Sequence, residues 1–365
     1  MRTAAVIGGG IGGLAVAAGL ARRGWAVRVH EQAAAFGEVG AGISIWGNAL
    51  RALDVLGVGD AVRDAGARPG RGGFRNRRGH WILRGSGEPG DLVMVHRADL
   101  LRILLGAVPA EALRPGERRQ DFRVEGGRAV IGEETVDLLI GADGMHSAVR
   151  RAFWPDAPGP VYTGHTAWRM VLPAAGIEPF DGSETWGAGD IFGAFPMGAD
   201  QIYCYAAAVL PANTRLNSER AELRRRFAGW PEPIPSLLAA VAEDAVLRHD
   251  LYYLPPLPSY VHGPVALVGD AAHAMSPNLG QGACQALEDA VTLAALAGTE
   301  DGLRRYDELR RPRSQWVSAR SRMAGKLNHV ANRPAAALRD TALRLLPDAL
   351  LRRSTAPLLD WRPPT

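Results

Sequence analysis

Gly8, Gly10 and Gly13 stand at the spacing of a turn whose backbone can close around a pyrophosphate, and Glu31 follows at the end of the next apolar run. Gly8 permits the tight turn, Gly10 lets the backbone approach phosphate, and Gly13 lets a helix pack against a strand. An acid at the position of Glu31 accepts hydrogen bonds from a ribose diol and disfavours a 2′-phosphate. These residues therefore imply FAD or NAD rather than NADP, and do not by themselves choose between the two. Two further signatures lie downstream, Gly141-Ala142-Asp143-Gly144 and Gly269-Asp270-Ala271-Ala272-His273, the latter closed by Pro277 and Gly280-Gln281-Gly282. Each can bring a carboxylate or a helix N-terminus to the same ligand. His273 is placed as a brace for its turn rather than as a base.

The positioning elements follow from periodicity. A buried strand is predicted over 3–7, a helix over 12–23 and a strand over 26–31, a βαβ start. Helices are expected from Asn48 to Leu56 and over 97–106, and a buried strand over 136–140 runs into the Asp143 turn. From about 155 to 262 prolines become frequent and strand-like pieces appear at 165–172, 191–195 and 201–209, with one helix near 217–228. Strand 264–268 and helix 282–297 return to the first lobe, 303–327 is an Arg-rich helix, and 335–352 reads as one amphipathic tail helix. The fold class is therefore α/β with an α+β second lobe: a Rossmann-like nucleotide lobe (1–155 and 263–330), an inserted, mostly antiparallel sheet (156–262) and a helical tail (331–365).

Among 365 residues, 47% are hydrophobic and 22% charged, ordinary for a soluble globular chain. No apolar run approaches a membrane span, and the N-terminus lacks a signal-peptide layout. Cys204 and Cys284 are the only cysteines, so no disulfide framework is expected, and the cytoplasm is the simplest location. The net charge is +4, carried by arginine; Lys326 is the only lysine. The basic stretches Arg71–Arg78 and Arg114–Arg123 read as solvated loops, since a nucleic-acid surface would interleave aromatics. The histidines show no metal-ligand spacing.

With these motifs in place, the chain resembles the single-component (class A) FAD-dependent aromatic monooxygenases, the group of salicylate, 6-hydroxynicotinate and urate hydroxylases and the tetracycline-inactivating monooxygenases. The resemblance runs from Ala4 to about Arg322. It rests on the glycine loop, on Gly40 to Leu50, on Val95-His96-Arg97-Ala98-Asp99-Leu100, on Gly141 to Arg150 and on Gly269 to Ala290. It implies that FAD is the resident cofactor and that NADH or NADPH binds transiently, without a domain of its own. Oxygen would be transferred from a flavin C4a-hydroperoxide to an electron-rich ring carbon. Asp270, Pro277, Gly280, Gln281 and Gly282 would face the flavin. Arg97 would reach FAD from a helix start, and Ser44 would hydrogen-bond it. Asp143 would touch both pyrophosphates, although a plain Asp-Gly turn explains it too. The loop 37–42 would give the flavin room to swing.

Substrate-facing residues are proposed on the second lobe. Tyr203 and Tyr205 share one face of a strand, and the resemblance puts a substrate-contacting or phenol-deprotonating tyrosine near Tyr203; packing is the competing role. Arg169 would pair with an anionic substrate or brace the lobes. Ile191 stands near where urate enzymes carry a substrate-binding arginine, which argues against urate, and strand 191–195 would wall an apolar ring. The expected partners are a small aromatic or heteroaromatic substrate and O2, with no nucleic acid, in a monomer or homodimer. A reductase or epoxidase of an unsaturated or isoprenoid substrate is the alternative on the same fold.

Overall fold

The structure is a computed structural model that describes every residue except 38–40, 69, 71, 85–91, 199 and 365, and the side chains of 348, 351 and 352. The middle of the expected hinge loop, Gly40 of the motif and Arg71 thus lie outside the described residues. The first lobe is built on a six-stranded sheet in the order Val261–His262, Val265–Leu267, Leu138–Gly141, Thr3–Ile7, Ala26–Glu31, Leu113–Pro115. All its pairings are parallel except the one at the Val261–His262 edge. Its three central strands are almost wholly buried, as a parallel sheet covered on both faces requires. One cover is the helix Ile11–Ala21, apolar all round and packed on Gly282–Leu296. Gly19 makes that crossing close: a Cβ on it would lie 2.8 Å from the Ala294 Cβ. A three-stranded meander over Phe122–Glu125, Arg128–Ile131 and Glu134–Val136, not anticipated from the sequence, caps one side.

The second lobe is a seven-stranded sheet in the order Leu247–Tyr253, Val161–Pro173, Gln201–Val209, Asp190–Met197, Ser183–Trp186, Gly73–Asn76, Trp81–Arg84. The last two strands correct the expected boundary, which assigned 73–84 to the nucleotide lobe. They join here because Glu184 pairs with Phe74 in a parallel register and the Phe74 ring lies 4.7 Å from that of Trp186. The expected strands 165–172, 191–195 and 201–209 all lie inside observed ones. One face of this sheet (Trp168, Met170, Phe192, Cys204, Ala206) buries against helices Glu219–Arg226 and Ile234–Ala240. The other carries Arg169, Val171, Tyr203, Tyr205, Gly193, Phe195 and Glu184, and is turned toward the first lobe, where Tyr203 and Met197 pack with Ala41 and Met94.

The chain closes with Gly302–Asn328, Arg333–Arg344 and Asp348–Leu359. The expected single tail helix is two, because Pro347 disfavours helical backbone at the residue before it. The tail bridges both lobes: Leu343 packs near Trp186, and Arg51 donates to the carbonyl oxygens of Leu359 and Trp361. Among the described residues no helix is long and apolar enough to cross a membrane.

Candidate functional site

The glycine turn is built by packing on one side and open on the other. Gly8 has φ +108°, and a Cβ there would lie 2.4 Å from the Ala142 carbonyl oxygen. A Cβ on Gly13 would meet the Gly8 carbonyl oxygen at 1.9 Å, so helix and strand touch through backbone alone. Gly10 instead caps the helix with no side-chain hydrogen bond, and nothing lies within 4 Å of where its Cβ would be. The first turn therefore offers free N–H groups and the positive end of a helix dipole to open space. Glu31 sits at the lip, accepting from the Gly9 N–H at 2.7 Å and the Ala33 N–H at 2.8 Å.

The late signature repeats this logic. Asp270 begins a short helix after strand Val265–Leu267; it is exposed, and its charge acts on the Arg97 guanidinium. Pro277 opens a 3-10 turn that ends at Gly280, in the left-handed region at φ +60°. A Cβ on Gly280 would lie 3.1 Å from Nε1 of Trp46, itself buried without a hydrogen-bond partner among the described residues, and 3.5 Å from the Ser44 Cβ. Helix Gly282–Leu296 then starts uncapped, with open space over Gly282. Gln281 is buried and accepts from Nδ2 of Asn48 at 3.0 Å. Behind the turn lies a buried ionic cluster. Asp289 accepts from the Gly269 N–H at 2.9 Å and lies 2.6 Å from Nε2 of His273, while Arg310 bridges Asp289 (2.7 Å) and Glu288. Arg313 adds two bonds to Glu288. Burial opposes the charged form of Asp289, yet His273 and Arg310 outweigh it and hold the carboxyl below its usual range. His273 is thus a brace, as its sequence position suggested.

Asp143 serves its own neighbourhood. Its carboxylate accepts from the Ser147 hydroxyl and from the N–H groups of Ala148 and Val149 at 2.6 and 3.2 Å, capping helix Ala148–Phe153. Arg150 of the same motif donates to the carbonyls of Ala271 (2.8 Å) and Met145 (2.6 Å), tying the middle signature to the late one.

Over this cleft the second sheet forms a roof. On its central strands the inward residues Arg169, Val171, Phe195, Tyr205 and Glu184 keep accessible surface, while most of their outward neighbours, and the inward Tyr203, Gly193 and Met197, are buried. These five residues mark a partly open recess between the lobes. Arg97 starts helix Arg97–Gly106, with its N–H on the Ala41 carbonyl at 2.9 Å. Burial lowers its basicity, Asp270 opposes that, and Arg169 adds repulsion. Tyr203 packs so close to Gly42 that a Cβ there would fall 2.2 Å from the ring. Burial raises the Tyr203 phenol, and the charge of nearby Arg169 offsets only part of that rise. Ser44 bonds the Met94 sulfur at 3.3 Å from the opposite wall. Ile191 shares the inward face but is buried with Ile82 and Trp186, against Tyr205 and near Leu343 of the tail. Gly193 is covered by the Tyr205 ring, so on strand 191–195 the accessible inward surface is that of Phe195.

The uncapped helix starts at Gly10 and Gln281, the space above Gly10 and Gly282, the exposed Asp270 and the unpartnered Trp46 Nε1 together fit an extended flavin dinucleotide. The comparisons decide the matter. A family model described as an FAD binding domain matches residues 1–187 and 255–321. The chain belongs to the FAD-dependent monooxygenases. It is 38% identical to an aurachin C monooxygenase/isomerase of Stigmatella aurantiaca, over 96% of this chain and 97% of that protein. It is 32% identical to a FAD-dependent urate hydroxylase of Klebsiella pneumoniae, over 89% and 90%. The crystal structure of K. pneumoniae HpxO with FAD and uric acid superimposes with a TM-score of 0.89 at 30% identity, covering 97% and 95% of the two chains.

In this monooxygenase, sequence reasoning gave no role to Glu184 or to the Glu288–Asp289–Arg310 cluster. The two helical acids carried no local signal: Glu288 and Asp289 sit in a helix where charged residues ordinarily face water. Among the described residues no group of three or more histidine, cysteine or acidic side chains is arranged to hold a metal.

Proposed function

We propose that this enzyme hydroxylates a small aromatic or heteroaromatic ring, using NADH or NADPH and O2. The observation that carries the reading is the recess itself: aromatic surface from Tyr205 and Phe195, with two guanidinium groups, Arg97 and Arg169, at the side nearest Asp270. Bound FAD would supply the redox and oxygen-transfer chemistry. The backbone at Gly10 would hold its pyrophosphate, Asp270 its ribityl side, and the start of helix Gly282–Leu296 its ring. Positive charge from Arg97 and Arg169 favours a ring in its anionic form, and a phenolate or deprotonated heterocycle is richer in electrons where oxygen must add. Tyr203, within the electrostatic reach of Arg169, would hold the ring oxygen. The apolar walls exclude water from the reacting centre.

The test is turnover of the FAD-loaded enzyme with a panel of phenols and N-heteroaromatics under 18O2. Ring-stimulated NAD(P)H oxidation and a product carrying one heavy oxygen are expected. Nicotinamide oxidation that yields only hydrogen peroxide across the panel would refute the reading.

A further inference from the structure

Glu184 is a carboxyl group placed in the middle of a strand, on the inward face of the roof, between buried Ser183 and Thr185. Its Oε2 accepts from the Tyr205 hydroxyl and its Oε1 from the Trp186 indole N–H. Both donors are neutral, and among the described residues no arginine or histidine forms an ion pair with it. Burial pushes the carboxyl up, against the two hydrogen bonds. Keeping an acid in such a place is costly, and an apolar residue would pack there without that cost. A carboxylate accepts about four hydrogen bonds, so lone pairs remain on both oxygens.

The surroundings aim this group. Register puts Arg169, Tyr205, Gly193 and Glu184 in one row across four strands. At ~4.8 Å per strand, Arg169 and Glu184 stand about 14 Å apart, backbone to backbone. Gly193 lacks a side chain in that row, and a Cβ there would lie 2.3 Å from the Tyr205 ring. Tyr205 therefore lies flat over Gly193 and reaches Glu184, stacked at 12° with Phe195. The recess is polarised: cationic at Arg169 of the roof and Arg97 of the first lobe, apolar and aromatic in the middle, and a hydrogen-bond acceptor at Glu184.

We propose that Glu184 is the specificity-determining acceptor of this recess, selecting rings that present an N–H donor opposite the Arg97–Arg169 end. The assignment rests on the ring-hydroxylase reading above and deepens it. A ring N–H would donate to a free lone pair of the carboxylate, while the ring oxygen faces the guanidinium groups. Tyr205 and Gly193 act as positioning residues.

The experiment uses FAD-loaded enzyme and three matched pairs of probes: 2-pyridone, 4-quinolone and indole, each against its N-methyl derivative. Dissociation constants come from perturbation of the flavin absorbance, and kcat and KM from NAD(P)H oxidation. In the wild type the N–H member of the preferred pair binds about ten- to a hundredfold more tightly, the usual worth of a hydrogen bond to a charged group. Glu184→Leu levels the pair through KM. Glu184→Gln, which keeps the volume, loses much of the preference, whereas a purely steric role would leave it intact. Tyr205→Phe weakens the preference by releasing one of the two bonds that aim the carboxylate. Flavin content and Tm of each variant show that it is folded. Rings that bind and are oxygenated with no preference for N–H, or a preference that survives Glu184→Leu, overturn the Glu184 assignment alone. If no ring of either kind binds or stimulates turnover, the ring-hydroxylase reading falls and the assignment falls with it.

Discussion

Arg310→Met is the sharpest test of how the cofactor turn is held. Arg310 is fully buried and donates to Asp289, Glu288 and Gln285, the last through its Oε1 at 2.8 Å. Methionine fills similar space but supplies no charge. Glu288 keeps Arg313 and Asn48, whereas Asp289 is left with His273 and the Gly269 N–H. Breaking a buried ion pair from one side costs about 3–5 kcal/mol. For a chain of 365 residues unfolding as one unit, ~2.1 cal/mol/K per residue gives a Tm lower by about 4–7 °C. Calorimetry of apo protein checks this. The loss should also depend on acid. Asp289, whose folded pKa is lowered, contributes stability that is complete above its unfolded value of 3.8 and is lost as pH falls through the folded one. The variant should lose less stability over that acid window than the wild type does. A second readout is the ratio of flavin to protein absorbance, because Asp289 fixes the Gly269 N–H at the base of the Asp270 turn. An unchanged Tm together with full flavin content would refute the bracing role.

Gly10→Val should fold with nearly wild-type Tm, since nothing lies within 4 Å of its Cβ position, yet purify without FAD; retention of yellow flavin would contradict the phosphate cradle. Gly13→Val, by contrast, meets the Gly8 carbonyl at 1.9 Å and should lower both Tm and flavin content, as differential scanning fluorimetry would show. Tyr203→Phe should retain FAD but lose about tenfold in kcat/KM, with more peroxide released per NAD(P)H, if its hydroxyl holds the ring oxygen. His329, buried and bonded to the Gly189 carbonyl, is held down to about 4. Only the unfolded chain then takes up a proton between pH 6.5 and about 4. Stability should fall across that window by up to about 3 kcal/mol. His329→Asn should flatten the decline measured by urea titration.

The difference between the legible and illegible parts of this site is a difference in what each residue must satisfy. Gly8 and Gly13 answer to backbone oxygens a few residues away or in a neighbouring strand, and no other side chain fits, so their spacing is a local record of a three-dimensional contact. The same holds for Gly280 at its positive φ. Asp143 was visible for the same reason, although a carboxylate that caps the next helix leaves the same Asp-Gly pattern as one that waits for a ligand. Glu184 has no local record at all. Its position on the inward face depends on the pairing of Ser183–Trp186 with Asp190–Met197, and its partner Tyr205 lies two strands away, reachable only because Gly193 leaves the row between them open. Strand Gly73–Asn76 follows the same rule, joining the second lobe through a parallel pairing with a strand more than a hundred residues later. Cofactor chemistry in this enzyme is thus written in backbone constraints that recur wherever the cofactor does. The surroundings of Glu184 are written in register, where an acid's neighbours are chosen by strands far apart in the chain.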